Sequence, residues 1–395
     1  MTLGWAMLSC TYAKAASSVM DAKTLNFADF GGVPGATSDV LLSALDAVFA
    51  KLKNLGGGVL LIPPGIYDLG NYSASNTVIK ISNLSDVLIS AYGARFQVTS
   101  KAAITPFLFC FYNPNNVVLA GASFIDLGFN ESAWLSHDRW GMYCVLVDSK
   151  TTCGHFKLVD CSAKDVTGLY VDDSRSNKFK VKNVVIENCK VTNAYYGVDA
   201  LYHGDNLFVR YLVCQDVRRG FISYGSKNVD VEIKLICSAN FLGSNGFISL
   251  ACEGESKGNV ENVRIQLDVS GVESHTALVH FYHQQKDSAG SIKNVSATVN
   301  VNQMTTKGKS PKLGKLNMFV FDHELPSTTI LKNTSRIWDQ ITLSGKVTGS
   351  ISGEIISAPS KSKTFGTLTI DGNLYTRTEV PALATIFKVK RLRTN

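Results

Sequence analysis

Val159-Asp160-Cys161-Ser162, Glu187-Asn188-Cys189-Lys190, Leu212-Val213-Cys214-Gln215 and Leu235-Ile236-Cys237-Ser238 are four versions of one segment, recurring at intervals of 28, 25 and 23 residues. Self-similarity at this period marks a solenoid or an array. Gly141, Gly168, Gly197, Gly220 and Gly246 supply a second anchor, each standing before a short β-rich run, and Ala277 looks like the next member. Strand-like Val184-Val185-Ile186-Glu187, Val231-Glu232-Ile233 and Val263-Arg264-Ile265 lie between the anchors, introduced by Lys182-Asn183, Asn228 and Glu261-Asn262. Each repeat therefore holds two or three short strands separated by turn residues.

No amphipathic helical stretch separates these strands, which argues against βαβ units and leucine-rich horseshoes. Propeller repeats are longer, at about 40 residues. Strands stacked in register at this period form a parallel β-helix, which predicts an all-β solenoid. The composition agrees: of 395 residues 45% are hydrophobic, only 18% are charged and Gly numbers 32. That excludes a disordered chain and an all-helical one. Stacked on strands about 4.8 Å apart, the four thiols should form one reduced, buried column. Bridged cysteines need shorter Cβ separations of roughly 3.5 to 4.5 Å.

A solenoid exposes its open ends unless they are covered. The helix candidate Ser38 to Leu55 precedes the first coil, with Val40, Leu41, Ala44, Leu45, Val48 and Leu52 at helical spacing. Ser38 or Asp39 could cap its start, and Gly56-Gly57-Gly58 stops it. The expected organisation is residues 1–16 as a signal peptide or N-terminal arm, 17–77 as cap and entry, 78–305 as coils, and 306–395 as last coils and C-terminal cap. The apolar run Leu3 to Ala13 is too short to span a bilayer, and Ala13-Lys14-Ala15-Ala16 has the small-x-small form of a signal-peptidase site.

Asn26-Phe27-Ala28-Asp29-Phe30-Gly31-Gly32, then Thr37-Ser38-Asp39, then Gly57-Gly58-Val59-Leu60-Leu61-Ile62-Pro63-Pro64-Gly65-Ile66-Tyr67 resembles the entry motif of the pectin-lyase-like superfamily. It is similar to the version shared by polygalacturonase-type hydrolases, polysaccharide lyases and bacteriophage tailspikes. The resemblance covers about a tenth of the chain and implies a right-handed parallel β-helix with an N-terminal capping helix. It leaves the reaction open.

With each anchor glycine as position zero, positions one and three should face the core. Positions two and four should then present Tyr143, Tyr170, Asp172, Asp199 and Tyr224 on an exterior wall. Just beyond lie Asp173, Arg175, Tyr202, His203, Lys227, Glu253 and His283. Aromatic planes stack on sugar CH faces, and carboxylates handle protons and hydroxyls. In this register Asp172 and Asp199 sit diagonally on neighbouring strands, roughly 7 to 8 Å apart. That falls in the ~6.5 to 9.5 Å window of inverting glycosidases. Asp173 would crowd Asp172 and raise one carboxyl pKa, as a general acid requires. Asp172-Asp173 resembles the Asp-Asp pair of polygalacturonases and His203-Gly204 part of their Gly-His-Gly. Tyr202 replaces the first glycine, Val147-Asp148-Ser149 stands in place of Asn-Thr-Asp, and no Arg-Ile-Lys follows; Val263-Arg264-Ile265-Gln266 reads as an ordinary strand. Asp172, Asp173, Asp199 and His203 are thus the catalytic candidates, against the alternative of solvated acids at strand ends. Tyr170, Arg175, Tyr202, Tyr224 and Lys227 are candidates for substrate binding.

Later positions of the same wall read Ile222, Ile248, Leu250, Val279 and Phe281, so something must cover them: a loop, the C-terminal tail or another subunit. Trp134 and Trp140, in the insertion from Phe129 to Trp140, are candidate sugar platforms or rings pinning their own loop. Arg219, in tandem with Arg218, could bind an acidic glycan or belong to a solvated turn. No metal is expected: His280-x-x-His283 turns its rings to opposite faces of a strand, and no acids form a calcium loop, although a divalent cation such as calcium serves many lyases of the superfamily.

The net charge of +7, from 39 Lys and Arg against 32 Asp and Glu, suits an acidic polysaccharide without calling for nucleic acid. These readings favour a secreted, periplasmic or surface enzyme that degrades a polysaccharide as an inverting hydrolase or a lyase, the lyase drawing on Arg175, Lys227 or Arg219. The rivals are a trimeric tailspike-like receptor-binding protein or depolymerase carried on a virion, and a non-catalytic β-helix that binds exopolysaccharide during synthesis or export. Monomer and homotrimer both remain open.

Overall fold

The computed structural model describes residues 23–74, 77–101, 104–130, 141–148, 154–172, 181–201, 203–239, 241, 243, 246–253, 259–284, 291–305, 315–324, 338–349, 351–353, 356–357, 368–370 and 373–375. At 203, 253, 283–284, 303, 322–324, 349, 368–370 and 373–375 it describes the backbone alone.

The chain winds as a right-handed parallel β-helix closed at its start by an α-helix, as the repeat and the entry motif predict. Three walls rise from the first coil. Gly58–Leu61 pairs in parallel with Ser85–Ser90, Gly65–Tyr72 with Ala94–Ser100, and Thr77–Ser82 with Phe107–Tyr112. Thr24–Asn26 already lies in parallel beneath Val59–Leu61, so strand stacking begins within the cap and entry segment. Every described pairing is parallel until Leu368–Ile370, which folds back antiparallel on Asn373–Tyr375.

The helix spans Ser38–Leu55 and buries Leu41, Ala44, Leu45, Val48, Phe49 and Leu52 over the first coil. Two details differ from expectation. Thr37 occupies the N-cap, since its backbone is still extended where Ser38 is already helical. Val40 is exposed, one residue off the apolar stripe, while Phe49 joins it. Gly56, at φ 74°, ends the helix in the left-handed region with its backbone returning to the Leu52 and Lys53 carbonyls. Among the described residues no helix is long and apolar enough to cross a membrane.

Inside the coil, like side chains pile up rung on rung. Phe27, Tyr67, Phe96 and Phe124 form one stack with centroids 5.5 to 6.0 Å apart. Each such ring, fully buried, stabilises the fold by about 1.5 to 3 kcal/mol. The turns obey a second rule. Asn183, Asn206, Asn228, Asn262, Asn294 and Gln340 lie in one ladder of the first wall, all with positive φ near 50 to 60°. Asparagine tolerates this conformation, and its amide also bonds along the stack: Asn262 donates to Asn228 at 2.9 Å and Asn294 to Asn262 at 2.8 Å.

The cysteine column is a correction. Cys161 and Cys189 lie in register, but Cys214 pairs with Val191, two positions along, and Cys237 pairs with Gly271 in line with Asp216. A shift of two residues keeps the face while moving the place. All four are therefore buried, reduced thiols spread across the core instead of one line.

Candidate functional site

The third wall carries the candidate site, and its register differs from the one that the glycines imply. Tyr143 pairs with Gly168, Gly168 with Tyr196, and Tyr196 with Arg219. Gly197 lies beside Gly220, because Tyr196 and Val198 pair with Arg219 and Phe221, and Gly246 falls opposite Ala277, because Ile248 pairs with Val279. The other anchors slip by one or two residues, since nothing in this wall requires a glycine at a fixed place. A slip of one residue reverses the face of every side chain beyond it.

Two corrections follow. Asp172 pairs with Val147 and stands in the ladder of Ile81, Phe111, Ala200, Ser223 and Leu250, all at 0 to 2% exposure; this is the core. Asp199 pairs with Val171 and Ile222, one step out of line, in the ladder that begins at exposed Lys80 and continues to half-buried His280. The two carboxylates thus take opposite faces, and the diagonal pair expected for an inverting mechanism does not form. Tyr170 goes inward with Val145 and Val198. Ile248, Leu250, Val279 and Phe281 likewise belong to core ladders with Phe221 and Ser223, so of the apolar residues expected outside only Ile222 is there, 2% exposed.

Around Asp199 the structure assembles a different cluster. The Tyr143 hydroxyl, two rungs below, donates to Asp199 Oδ2 at 2.8 Å. Gly168 makes this reach possible: a Cβ there would come within 2.6 Å of the Tyr143 ring. Freed from a side chain between them, Tyr143 and Tyr196 lie near-parallel with centroids 6.1 Å apart, and Phe107 stacks on the other side of Tyr143 at 5.6 Å. The Arg218 guanidinium sits 4.8 Å over the Tyr195 ring. Burial pulls Arg218 below the ordinary arginine value. Arg219 is also depressed by burial, but the neighbouring Tyr196, Tyr195, Tyr224 and Asp199 outweigh that and hold it above, so its charge is secure. Its Nε is buried with no hydrogen-bond partner among the described residues. The arginines, read as glycan binders or as a solvated turn, lie within the long strand His203–Tyr224 and keep partial exposure, whereas Asp199, Tyr143, Tyr195, Tyr196 and Tyr224 are covered.

Lys227 leaves the site: it opens the strand Lys227–Cys237 on the first wall and pairs with Glu261 at 3.0 Å. Arg264 confirms its ordinary strand role, forking onto both oxygens of Asp230 at 2.9 Å. Asp173, Arg175, Tyr202, Trp134 and Trp140 lie outside the described residues, and His203 is described by backbone alone, at the start of its strand. Among the described residues no three His, Cys, Asp or Glu side chains converge as metal ligands. Sequence reasoning missed Tyr195 and Tyr196; their signal was the doubled Tyr-Tyr one coil before Arg-Arg.

No family model matches the chain, and none of the curated proteins matches it. Solved structures do. The surface adhesin PfbA of Streptococcus pneumoniae aligns over 94% of this chain and 97% of its own, at 12% identity and a TM-score of 0.46. Endo-xylogalacturonan hydrolase from Aspergillus tubingensis aligns over 89% and 100%, at 15% identity and 0.43. The A-module of the Azotobacter vinelandii mannuronan C-5 epimerase AlgE4 aligns over 88% and 95%, at 10% identity and 0.41. Similarity at these levels assigns no role to any residue.

Proposed function

We propose that the third wall engages an acidic polysaccharide outside the cell or at its surface, and that its chemistry is elimination next to a uronate in preference to inverting hydrolysis. The observation that carries this is the Tyr143–Asp199 hydrogen bond beside a secure Arg219 cation with an unused Nε–H. With Asp172 in the core, Asp172 and Asp199 do not form the carboxylate pair that hydrolysis needs, but a cation and a coupled tyrosine supply what elimination needs. Arg219 pairs with the sugar carboxylate and so stabilises the carbanion developing at C5. Asp199 accepts the C5 proton, the C4–O bond to the departing sugar breaks, and the Tyr143 hydroxyl gives its proton to that oxygen. The phenolate then recovers a proton from Asp199 through their hydrogen bond, which restores both groups. The partly exposed arginines form the approach.

The test incubates the protein with polygalacturonate, alginate and neutral glycans while following absorbance of unsaturated uronate and the release of reducing ends. Unsaturated product from an acidic polymer is expected, with a loss of about 10²-fold or more in Asp199→Asn, in the range for removing a proton-transfer group, and a raised KM in Arg219→Gln. Reducing ends without unsaturation, or an unchanged rate in Asp199→Asn, would overturn the elimination. A second reading, a wall that binds without cleaving, is favoured by one fact: Asp199 is 1% exposed. Retention of an acidic glycan with no product, weakened by Arg219→Gln, would establish it.

A further inference from the structure

The corner between the first and second walls carries an exposed aromatic ledge that the site above does not use. Successive backbone bonds, from Ala91 to the Ala120 carbonyl, Gly121 to Val159, Asp160 to Glu187 and Asn188 to Arg210, stack Ala91, Gly121, Asp160, Asn188 and Tyr211 one above another. Tyr92 lies across this corner. Its ring covers Gly121, where a Cβ would come within 2.4 Å of it, and its hydroxyl donates to Asp160 Oδ2 at 2.6 Å. That bond pushes the phenol up to about 12 and fixes the ring in place. Even so, Tyr92 is 53% exposed.

Tyr211 is the stranger residue. It is 59% exposed and adopts φ 53°, a conformation that the same corner gives to Asp160 and Asn188 on the rungs below. Asn and Asp visit this region readily, whereas a bulky ring there is strained. At 59% exposure the ring gains little burial in return. The neighbouring Arg210 guanidinium is 5.3 Å from the Phe208 ring on the adjoining wall. Two rungs, about 10 Å, separate Asp160 from Tyr211, and the interval is spanned by exposed Asp160 and Asn188.

We propose that this corner is a second carbohydrate-binding surface, on which Tyr92 and Tyr211 stack against sugar rings while Asp160 and Asn188 bond the hydroxyls between them. Two aromatic faces separated by polar acceptors and donors suit a glycan segment laid along the helix axis. The charged group between the two rings is the Asp160 carboxylate, which repels uronates there and favours a neutral segment. The ledge is therefore independent of the arginine wall in place and in preferred ligand.

Native gels cast with hydroxyethylcellulose, xyloglucan, galactomannan or dextran test this. At least one of these polymers should retard the full chain. Tyr92→Ala and Tyr211→Asn should each weaken retardation by about fivefold or more, the worth of a ring–sugar contact. Tyr211→Asn should unfold at the same or a higher temperature, since asparagine relieves the backbone, so lost binding cannot be read as lost folding. Asp199→Asn and Arg219→Gln should leave neutral-polymer retardation unchanged. No retardation of the wild type by any of these polymers overturns the proposal, as does retardation that survives in the Tyr92→Ala/Tyr211→Asn double variant. Loss that follows Arg219→Gln instead would place neutral-glycan binding on the arginine wall and equally overturn the ledge.

Discussion

Gly168 shows how much one absent side chain decides. It stands between Tyr143 and Tyr196 in their ladder, and the open space lets Tyr143 lean two rungs to Asp199. In Gly168→Ala the new methyl group would press on the Tyr143 ring from 2.6 Å and on Tyr196 Cβ from 3.2 Å. Overpacking of this kind costs about 1 to 3 kcal/mol. Urea unfolding should register that loss, and glycan processing should fall with it because the Tyr143–Asp199 bond is displaced. An unchanged midpoint would mean that the ring has room that the geometry denies it. Cysteine tells the opposite story, of side chains whose chemistry is suppressed. Burial pushes Cys110, Cys237 and Cys252 up to about 12, and Cys144, Cys161 and Cys214 are raised as well. These six thiols, and Cys189 by its burial alone, should resist a disulfide reagent in the native state and react on unfolding. Rapid native labelling of Cys161 or Cys189 would contradict the packing. The reduced, buried state of these thiols was legible in sequence because small apolar residues recur where strands stack; their step from rung to rung was not, because a shift of two residues leaves the hydrophobic pattern unchanged.

At the scale of strands and turns, asparagine proved the better ruler. Asn183, Asn228 and Asn262 mark one corner of successive coils, because the left-handed turn needs them there. Gly141, Gly168 and Gly246 were poorer guides: Gly168 and Gly246 have no positive φ, and each glycine answers to a local crowding that differs from rung to rung. Counting register from the glycines is what sent Asp172 and Tyr170 to the wrong face, while Asp199 and Tyr224 stayed on the right one. The corner ladder should accordingly carry measurable stability. Asn228 donates to Asp205 at 2.6 Å and accepts from Asn262 at 2.9 Å. Asn228→Ala should lose about 1 to 2 kcal/mol from the left-handed backbone alone, plus about 1 kcal/mol from its hydrogen bonds. Asn228→Gly should recover the first part. Equal losses in the two variants would show that conformation is not the source. The turn before Ala277–Gln284 adds a titrating element. His275 is buried between Phe241 and Phe247, its Nδ1 3.0 Å from the Ser274 hydroxyl and its Nε2 3.1 to 3.2 Å from the Val217 and Arg218 carbonyls. Burial holds its pKa down at about 4 against an ordinary 6.5. The unfolded chain thus binds more protons between these values, so the stabilisation is complete above pH 6.5 and drains away as the pH falls towards 4. The loss is on the order of 3 kcal/mol. Unfolding free energies from pH 7 to pH 4 should show that decline in the wild type and a shallower one in His275→Gln; parallel curves would assign acid sensitivity elsewhere.

For the whole molecule, the solenoid sorts its surface by wall and corner, and the two proposed glycan sites inherit different electrostatics from that sorting. The arginine wall meets a polyanion with a chain whose net charge is +7. The ledge offers rings, amide and carboxylate to a neutral polymer. Salt separates them. Raising ionic strength from about 0.01 M to about 1 M shortens the screening length from roughly 30 Å to 3 Å. The attraction of Arg218 and Arg219 for polygalacturonate should then weaken by at least about tenfold, while ring stacking on a neutral glycan, being apolar burial, should hold or tighten slightly. Affinity electrophoresis of one preparation against both polymers across that range reads the two dependences side by side. Acidic-polymer retention that ignores salt would detach it from the arginines, and neutral-polymer retention that collapses with salt would detach it from the tyrosines. Arg219→Gln should flatten the first dependence and leave the second alone, which ties each slope to a wall of the same coil instead of to the protein's charge as a whole.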